Sequence, residues 1–544
     1  MKLFQQLLVA PAALGLLAPM AVSAAELNLT DVNQYSGSTQ DQVTSVTQFS
    51  DVKPTDWAYQ ALSNLVERYG CVAGYPNGTF KGGQAMTRYE AAALLNACLD
   101  RVTEVTDELK KLMAEFEKEL AVLRGRVDGL EAKVGELEAN QFSTTTKLKG
   151  IATFVLGANS FSGDARVKGG QKISELAQSQ EGGTSFNYDV RLNFDTSFTG
   201  KDLLRTTLRA GNFADSAFGG GAVVGANGAT LGMNALEIAF QENCGTGVDC
   251  GDVVAINRLF YQFPIGSNFT ATIGGRVRQD DMLAMWPSVY PADTVLDVFT
   301  YAGAPGAYNL TLGAGAGLWW KSGNWSISAN YVSANGDVGN PSQGGIGTSG
   351  SQETGTVQAG YAGKNWGLAA AYNYSNGVGP ASGTPLTVLG GTSFAPFETV
   401  NSVGVSGYWQ PSNSGWFPSI SAGWGLNSYN ENNNAANFDG LASQSWYVGL
   451  QWADAFIKGN ALGMAVGQAT FITSCGDFCD GTPNDGNYAW EWWYKFQVTD
   501  NISVTPAIYY LSTPLGQLQK SDTALTDGGT FSNFGGIVKT TFKF

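Results

Sequence analysis

The chain has 544 residues, enough for several domains, yet only 14 % are charged while Gly (70), Trp (14), Tyr (21) and Phe (29) are plentiful. A net charge of −15, from 31 basic and 46 acidic residues, argues against a nucleic-acid partner, which needs basic surface. Histidine is absent, which removes the usual general base and the commonest metal ligand and argues against an enzyme.

Residues 1–24 read as an export signal. Lys2 gives the basic start, Leu7 to Ala18 the apolar core, and Val22-Ser23-Ala24 a small-residue cleavage site. The apolar run is too short for a membrane anchor and is bounded and broken by Pro11 and Pro19. The mature protein is therefore expected in the periplasm or beyond, where disulfides can form. Residues 25–48, rich in Thr, Ser, Gln and Asn, read as a linker. Past the N-terminus no run of about 18 apolar residues occurs, so no bilayer-spanning helix is expected.

Residues 49–100 carry the most specific local pattern. Phe49-Ser50-Asp51-Val52 is followed by Asp56-Trp57-Ala58, an amphipathic helix near Tyr59–Tyr69, Gly74-Tyr75-Pro76-Asn77-Gly78-Thr79-Phe80, and Thr87-Arg88-Tyr89-Glu90. Asp56 and Thr87 are placed to cap two short helices, and Pro76-Asn77-Gly78 is a turn. In this order and spacing the pieces resemble one surface-layer homology (SLH) repeat, with Thr-Arg-Tyr-Glu and Gly-Tyr-Pro-Asn-Gly as mild departures from the usual motifs. The resemblance implies binding to peptidoglycan or a linked wall polysaccharide, with Trp57, Arg88 and Glu90 in the site and Arg88 as the cation for an anionic sugar substituent. An arginine fork suits carboxylate recognition. Taken by residue type alone, Arg88 and Glu90 serve equally well as braces for the helix pair.

Residues 101–140 read as one long helix. Val102, Val105, Leu109, Leu112 and Phe116 step by three and four; Leu120, Leu123, Val127, Leu130, Val134 and Leu137 resume after one extra four-residue step. That is a coiled-coil seam with a stutter. A polar-faced helix of this length needs partners to bury its seam, and no second helix of similar length is expected, so self-association follows. At 1.5 Å per residue the stalk would be roughly 60 Å long. The competing reading is a loose amphipathic linker.

From residue 147 to 544 the period changes to two, the mark of strands. Short connections near 199–202, 264–268, 320–324, 363–366, 411–416, 454–458 and 499–501 alternate with long ones near 161–183, 214–251, 279–306, 334–352, 375–398, 429–441, 474–487 and 513–530. Eight long and seven short connections join sixteen strands, an even count with short turns on one rim and long loops on the other. The expected fold is therefore mainly β: a 16-stranded antiparallel transmembrane barrel, preceded by a small α-helical domain and a coiled-coil helix. Leu231 to Phe240 looks strand-like but would break the alternation, so it is assigned to a structured loop; eighteen strands is the alternative. The last stretch shows the pattern plainly: Gly536, Val538, Thr540, Phe542 and Phe544 share one face, Lys539, Thr541 and Lys543 the other. A terminal aromatic on such a strand resembles the assembly signal of bacterial outer-membrane barrels.

Charges keep to the polar faces. Asp189, Arg191, Asn193 and Asp195 oppose Tyr188, Val190, Leu192 and Phe194; Arg205 and Arg209 oppose Leu204 and Leu208; Arg258 and Gln262 oppose Leu259, Tyr261 and Phe263. Thr272, Gly274, Arg276 and Arg278 oppose Phe269, Ala271, Ile273, Gly275 and Val277. A charge facing mid-bilayer lipid costs about 2–4 kcal/mol, so these residues are expected to line a wet lumen. The loop after Arg278 supplies Asp280, Asp281, Asp293 and Asp297 with Met282, Met285 and Trp286 between them. Folded inward, it would set an anionic wall against the arginines and narrow the channel. The alternative is a loop outside the barrel and ordinary lumen salt bridges.

The six cysteines are expected to pair as Cys71–Cys98, Cys244–Cys250 and Cys475–Cys479, the last two as loop staples. A metal at Cys475-Gly-Asp-Phe-Cys479 with Asp477 and Asp480 is the weaker reading, and no cofactor or catalytic arrangement is evident. The strand end Asn257-Arg258-Leu259-Phe260-Tyr261-Gln262-Phe263-Pro264 resembles the carbohydrate-selective (OprB-type) porins. With one SLH repeat and a coiled coil before it, the whole is similar to the major outer-membrane porins of cyanobacteria, sometimes classed as iron-uptake porins. That resemblance implies a homotrimer in outer-membrane lipid, anchored to peptidoglycan from the periplasm, passing small solutes and inorganic ions. A wall tether with a nearly closed barrel is the alternative function.

Overall fold

The computed structural model describes residues 44–56, 59–68, 70, 72, 78–84, 145–220, 231–242, 250–291, 295–388, 399–430, 440–475, 483–520 and 526–544, in two units that divide after Ala139. The regions 1–24 and 101–140, with Trp57, Arg88, Glu90, Cys71 and Cys98, lie outside the described residues.

In the first unit a helical turn Tyr59–Ser63 runs into a π turn Asn64–Arg68. Val46, Phe49, Leu62, Val66 and Val72 bury together, with Phe80 packed against them. Asp51 ties the two ends of the motif by accepting from the Phe80 and Lys81 amides at 2.7 and 2.6 Å. Gly78, at φ +71°, makes the backward turn that a side chain would strain. The Asp56 carboxylate accepts from Lys53 N at 2.7 Å and closes the turn ahead of the helix.

Among the described residues the second unit holds sixteen strands: β1 (Thr146–Ser162), β2 (Ser185–Thr196), β3 (Leu203–Gly211), β4 (Ala255–Ile265), β5 (Phe269–Arg278), β6 (Leu312–Ser322), β7 (Trp325–Ser333) and β8 (Glu353–Ala362), then β9 (Trp366–Asn376), β10 (Thr399–Trp409), β11 (Ser419–Asn430), β12 (Leu441–Ala453), β13 (Ala461–Cys475), β14 (Ala489–Thr499), β15 (Ile502–Leu511) and β16 (Ser532–Lys543). Each pairs antiparallel with its sequence neighbours, and β1 pairs with β16 from Ile151↔Lys543 to Ser162↔Ser532, closing a barrel. Short turns and long loops alternate as the spacing predicts. Leu231–Phe240 forms no strand; it joins the loop after β5 through a single bridge, Leu236↔Leu296.

The period of two decides which side of the wall each residue takes. On β7, Trp325 and Ile327 are exposed while Ser326, Ser328 and Asn330 are buried inside. On β9, Leu368, Tyr372 and Tyr374 are exposed while Asn373 and Ser375 are buried. Burial is thus inverted relative to a water-soluble protein: apolar side chains face out and polar ones in, as a lipid surround requires. Aromatics flank this belt. Phe269, Trp325, Trp366, Trp409 and Phe496 are exposed toward the short-turn rim, and Phe186, Trp490, Tyr510 and Phe534 toward the other. Trp325 meets Tyr361 edge-on at 5.0 Å between ring centroids, and Tyr361 stacks on Trp366 at 4.8 Å.

Two bulges break the alternation where the chemistry gathers. Register shifts between Thr207 and Leu208 on the β3–β4 ladder, and between Gly274 and Val277 on the β5–β6 ladder. Val277, expected on the lipid face, is instead fully buried inside with Phe260, Met282 and Val332. One extra residue in a strand re-aims everything beyond it, which two-residue counting cannot anticipate.

Candidate functional site

The described residues of the loop between β5 and β6, 279–291 and 295–311, lie inside the barrel. Their backbone and side chains bond to inward-facing groups around the wall. Gln279 Nε2 donates to Thr356 Oγ1 of β8 (2.5 Å), Ala284 N to Ser328 Oγ of β7 (2.9 Å), and Tyr290 N to Ser421 Oγ of β11 (3.0 Å). Ser406 of β10 and Ser445 of β12 donate to the carbonyls of Ala302 (2.6 Å) and Gly303 (2.9 Å). The wall is hollowed to receive it. A Cβ on Gly423 would stand 1.8 Å from the Ala302 carbonyl oxygen, and one on Gly404 2.8 Å from the Ala304 Cβ.

Glu491 on β14 anchors the far end of this loop. Buried completely, it accepts from Tyr290 OH at 2.6 Å and from Leu296 N at 2.8 Å, while Trp493 Nε1 donates to the same tyrosine oxygen at 2.7 Å. Around this junction Phe213, Phe218, Met233, Leu236, Val295, Leu296 and Phe299 pack against Ala465, Ala507, Tyr509 and Ile537 of the wall. Apolar side chains therefore cover the inner wall at β13–β16 around this junction.

The charged side chains gather on β2–β5. Asp189 of β2 accepts from Arg191 Nε at 2.7 Å and from Arg209 Nε of β3 at 2.5 Å. Arg209 also donates to the Ile238 carbonyl at 3.2 Å, and its guanidinium lies 4.5 Å over the Phe240 ring. Arg191 reaches Glu237 at 3.6 Å. Asp195 takes Arg205 in a two-pronged bond at 2.8 and 3.0 Å, together with Lys149 Nζ at 3.1 Å. Arg258 pairs with Asp281 at 2.6 Å, and Arg278 with Asp280 at 2.5 and 2.6 Å. Burial opposes the charge on Asp280, but Arg278 and Arg258 overcome it and hold that carboxyl below its ordinary range. Asp297 goes the other way. Burial raises its pKa to about 6, and it accepts from the Tyr301 hydroxyl instead of an arginine.

Five arginines (191, 205, 209, 258 and 278) thus meet five carboxylates (189, 195, 237, 280 and 281). The expectation of a cationic wall facing an anionic one is corrected: Asp280 and Asp281 sit on the arginines themselves. Guanidinium groups in so closed a space need partners in contact, so acids and bases interleave on one wall. Arg191, Arg205 and Arg278 keep 25 %, 32 % and 29 % of their side-chain surface open, the wet fringe of the network. Arg276 takes no part in these ion pairs. It sits at the β5 bulge opposite lipid-facing Leu259, with its Nε buried and unbonded.

Glu237 and Glu491 were not singled out by sequence pattern. Glu491 had a usable signal, a carboxylate on the inner face of Trp490-Glu491-Trp492-Trp493; Glu237 had none. Cys250 is disulfide-bonded; Cys244, Cys479 and Asp293 lie outside the described residues.

Residues 104–544 match the family described as carbohydrate-selective porin, OprB family, and residues 48–92 match the S-layer homology domain. An uncharacterized protein of Nostoc is 35 % identical over 94 % of this chain and 88 % of its own length. Another, of Synechocystis, is 32 % identical over 89 % of this chain and 90 % of its own. The solved structure of OprB from Pseudomonas putida is similar at 12 % identity and a TM-score of 0.46, covering 75 % of this chain and 96 % of that one.

Proposed function

From a chain that belongs to the carbohydrate-selective porin (OprB) family and carries an S-layer homology domain, we propose a wall-anchored diffusion channel for small hydrophilic solutes and inorganic ions, iron among them. Porins are channels rather than enzymes, and this one belongs to the outer membrane with its S-layer homology domain on the periplasmic side. The observation that carries the reading is the closed barrel whose lumen is narrowed by residues 279–291 and 295–311 and edged by the partly open Arg191, Arg205 and Arg278. Water-filled space of that kind passes small charged and polar solutes and rejects bulky ones.

Residues 1–24 direct export, 25–48 link, 49–100 bind peptidoglycan or its polysaccharide through Trp57, Arg88 and Glu90, and 101–140 form a coiled-coil stalk. The stalk gathers three chains, so a homotrimer brings three wall-binding repeats together. Cys71–Cys98, Cys244–Cys250 and Cys475–Cys479 staple domain and loops in the oxidising compartment.

A second reading has an observation behind it. The apolar packing around Tyr290, Leu296 and Trp493 occupies lumen space beside β13–β16, which favours a wall tether with a nearly closed barrel. Purified protein in planar bilayers separates the two. Discrete conductance steps are expected; their absence from folded protein leaves the tether.

A further inference from the structure

Three basic side chains outside the arginine network gather at the short-turn mouth of the lumen. Lys495 of β14 and Lys539 and Lys543 of β16 line a cavity of about 270 Å³. Ser503 and Thr505 of β15 and Thr541 of β16 place hydroxyls on the same wall. Register puts them side by side: Thr505 opposes Lys539, Ser503 opposes Thr541, and Ile151 of β1 opposes Lys543. Directly opposed residues hold their Cβ atoms about 5 Å apart, so ammonium and hydroxyl groups alternate at hydrogen-bonding reach of one small guest.

Charge balance distinguishes this place from the constriction above it. There Arg191, Arg205, Arg209, Arg258 and Arg278 each meet a carboxylate. Here, among the described residues, no ion pair joins Lys495 or Lys543 to an acid. The carboxylate that does border the cavity, Asp454, lies on the β12–β13 turn and accepts from Gly459 N at 2.7 Å. Like charges gathered in a walled space repel one another and raise the local concentration of anions. The volume equals roughly nine waters at about 30 Å³ each, room for an oxyanion with part of its hydration.

We propose that this cavity is a binding station for small inorganic oxyanions, and that it biases the pore toward anions. The bias rests on the channel reading; the binding does not. Sulfate is the probe. Full-length protein in detergent is dialysed to equilibrium against radiolabelled sulfate, and the same preparation is placed in planar bilayers under a potassium chloride gradient. Wild type retains sulfate, a Lys495→Gln, Lys543→Gln double variant holds it at least about tenfold more weakly, and the reversal potential moves toward the cation value. Heat-modifiable gel mobility verifies the folded barrel, and each single substitution serves if the double variant does not fold. Equal retention by wild type and variant, or none by wild type, overturns the station. Retention with no channels leaves the station and removes the pore. Channels whose reversal potential is unmoved by the substitutions overturn the anion bias.

Discussion

Single carboxylates do the fastening in this molecule. Asp189, 1 % exposed, holds two guanidiniums at once. Asp189→Asn leaves Arg191 and Arg209 without that charge, and breaking a buried pair costs about 3–5 kcal/mol. The expected result is a lower unfolding temperature in detergent, with little loss from the exposed control Lys201→Gln. Asp485, in the loop between β13 and β14, fastens three connections. It accepts from Thr384 Oγ1 (2.6 Å), Ile472 N (2.8 Å) and Gln517 N (2.8 Å). Burial outweighs these donors and raises its pKa to about 6. An unfolded carboxyl titrates near 4, so the folded state holds the proton more tightly. Stability is then highest below about pH 4 and falls by up to about 3 kcal/mol as pH climbs to about 6. Melting temperatures across that window should show the slope, and Asp485→Asn should flatten it.

At the scale of elements, the inward loop Gln279–Thr311 is the part most easily moved on purpose. Gly423→Val sets a side chain against the Ala302 carbonyl and should push the loop off β11. Overpacking of this kind costs about 1–3 kcal/mol, and single-channel conductance should rise as the loop swings away. Unchanged conductance in the folded variant would mean that this loop does not limit passage. Strand order and rim assignment were legible in the residues because period two, turn length and alternating loop size all agree. Val277 and Arg276 were not, because a bulge at Gly274–Val277 shifts phase without any composition signal. The acidic wall was misread for another reason. Asp280 and Asp281 are recognisable as partners of arginine, but only the 3-10 turn at Gln279–Met282 folds them back onto Arg278 and Arg258. Glu491 takes its meaning from Tyr290, some 201 positions away, a distance that local pattern does not reach.

For the molecule as a whole, solvent inversion makes a sharp contrast between neighbours on one strand. Val538 is 42 % exposed on the outer face of β16, whereas Thr541 is buried on the inner one. Val538→Arg should cost about 2–4 kcal/mol in lipid, and the apolar exchange Val538→Leu far less, as read by urea unfolding in vesicles. Wall attachment gives a second molecular test: Arg88→Ala should reduce co-sedimentation with purified peptidoglycan while leaving conductance unchanged. The seam between β1 and β16 has a further consequence. Its partners stand as far apart as Ile151 and Lys543, so the first hairpins carry a raw margin until the final segment is delivered. Unpaired margins recruit other chains, and such distant pairing is slow. Biogenesis must therefore depend on helpers that shield the nascent polypeptide, and a truncation before Ser532 should yield aggregates or proteolytic fragments in place of a smaller ring.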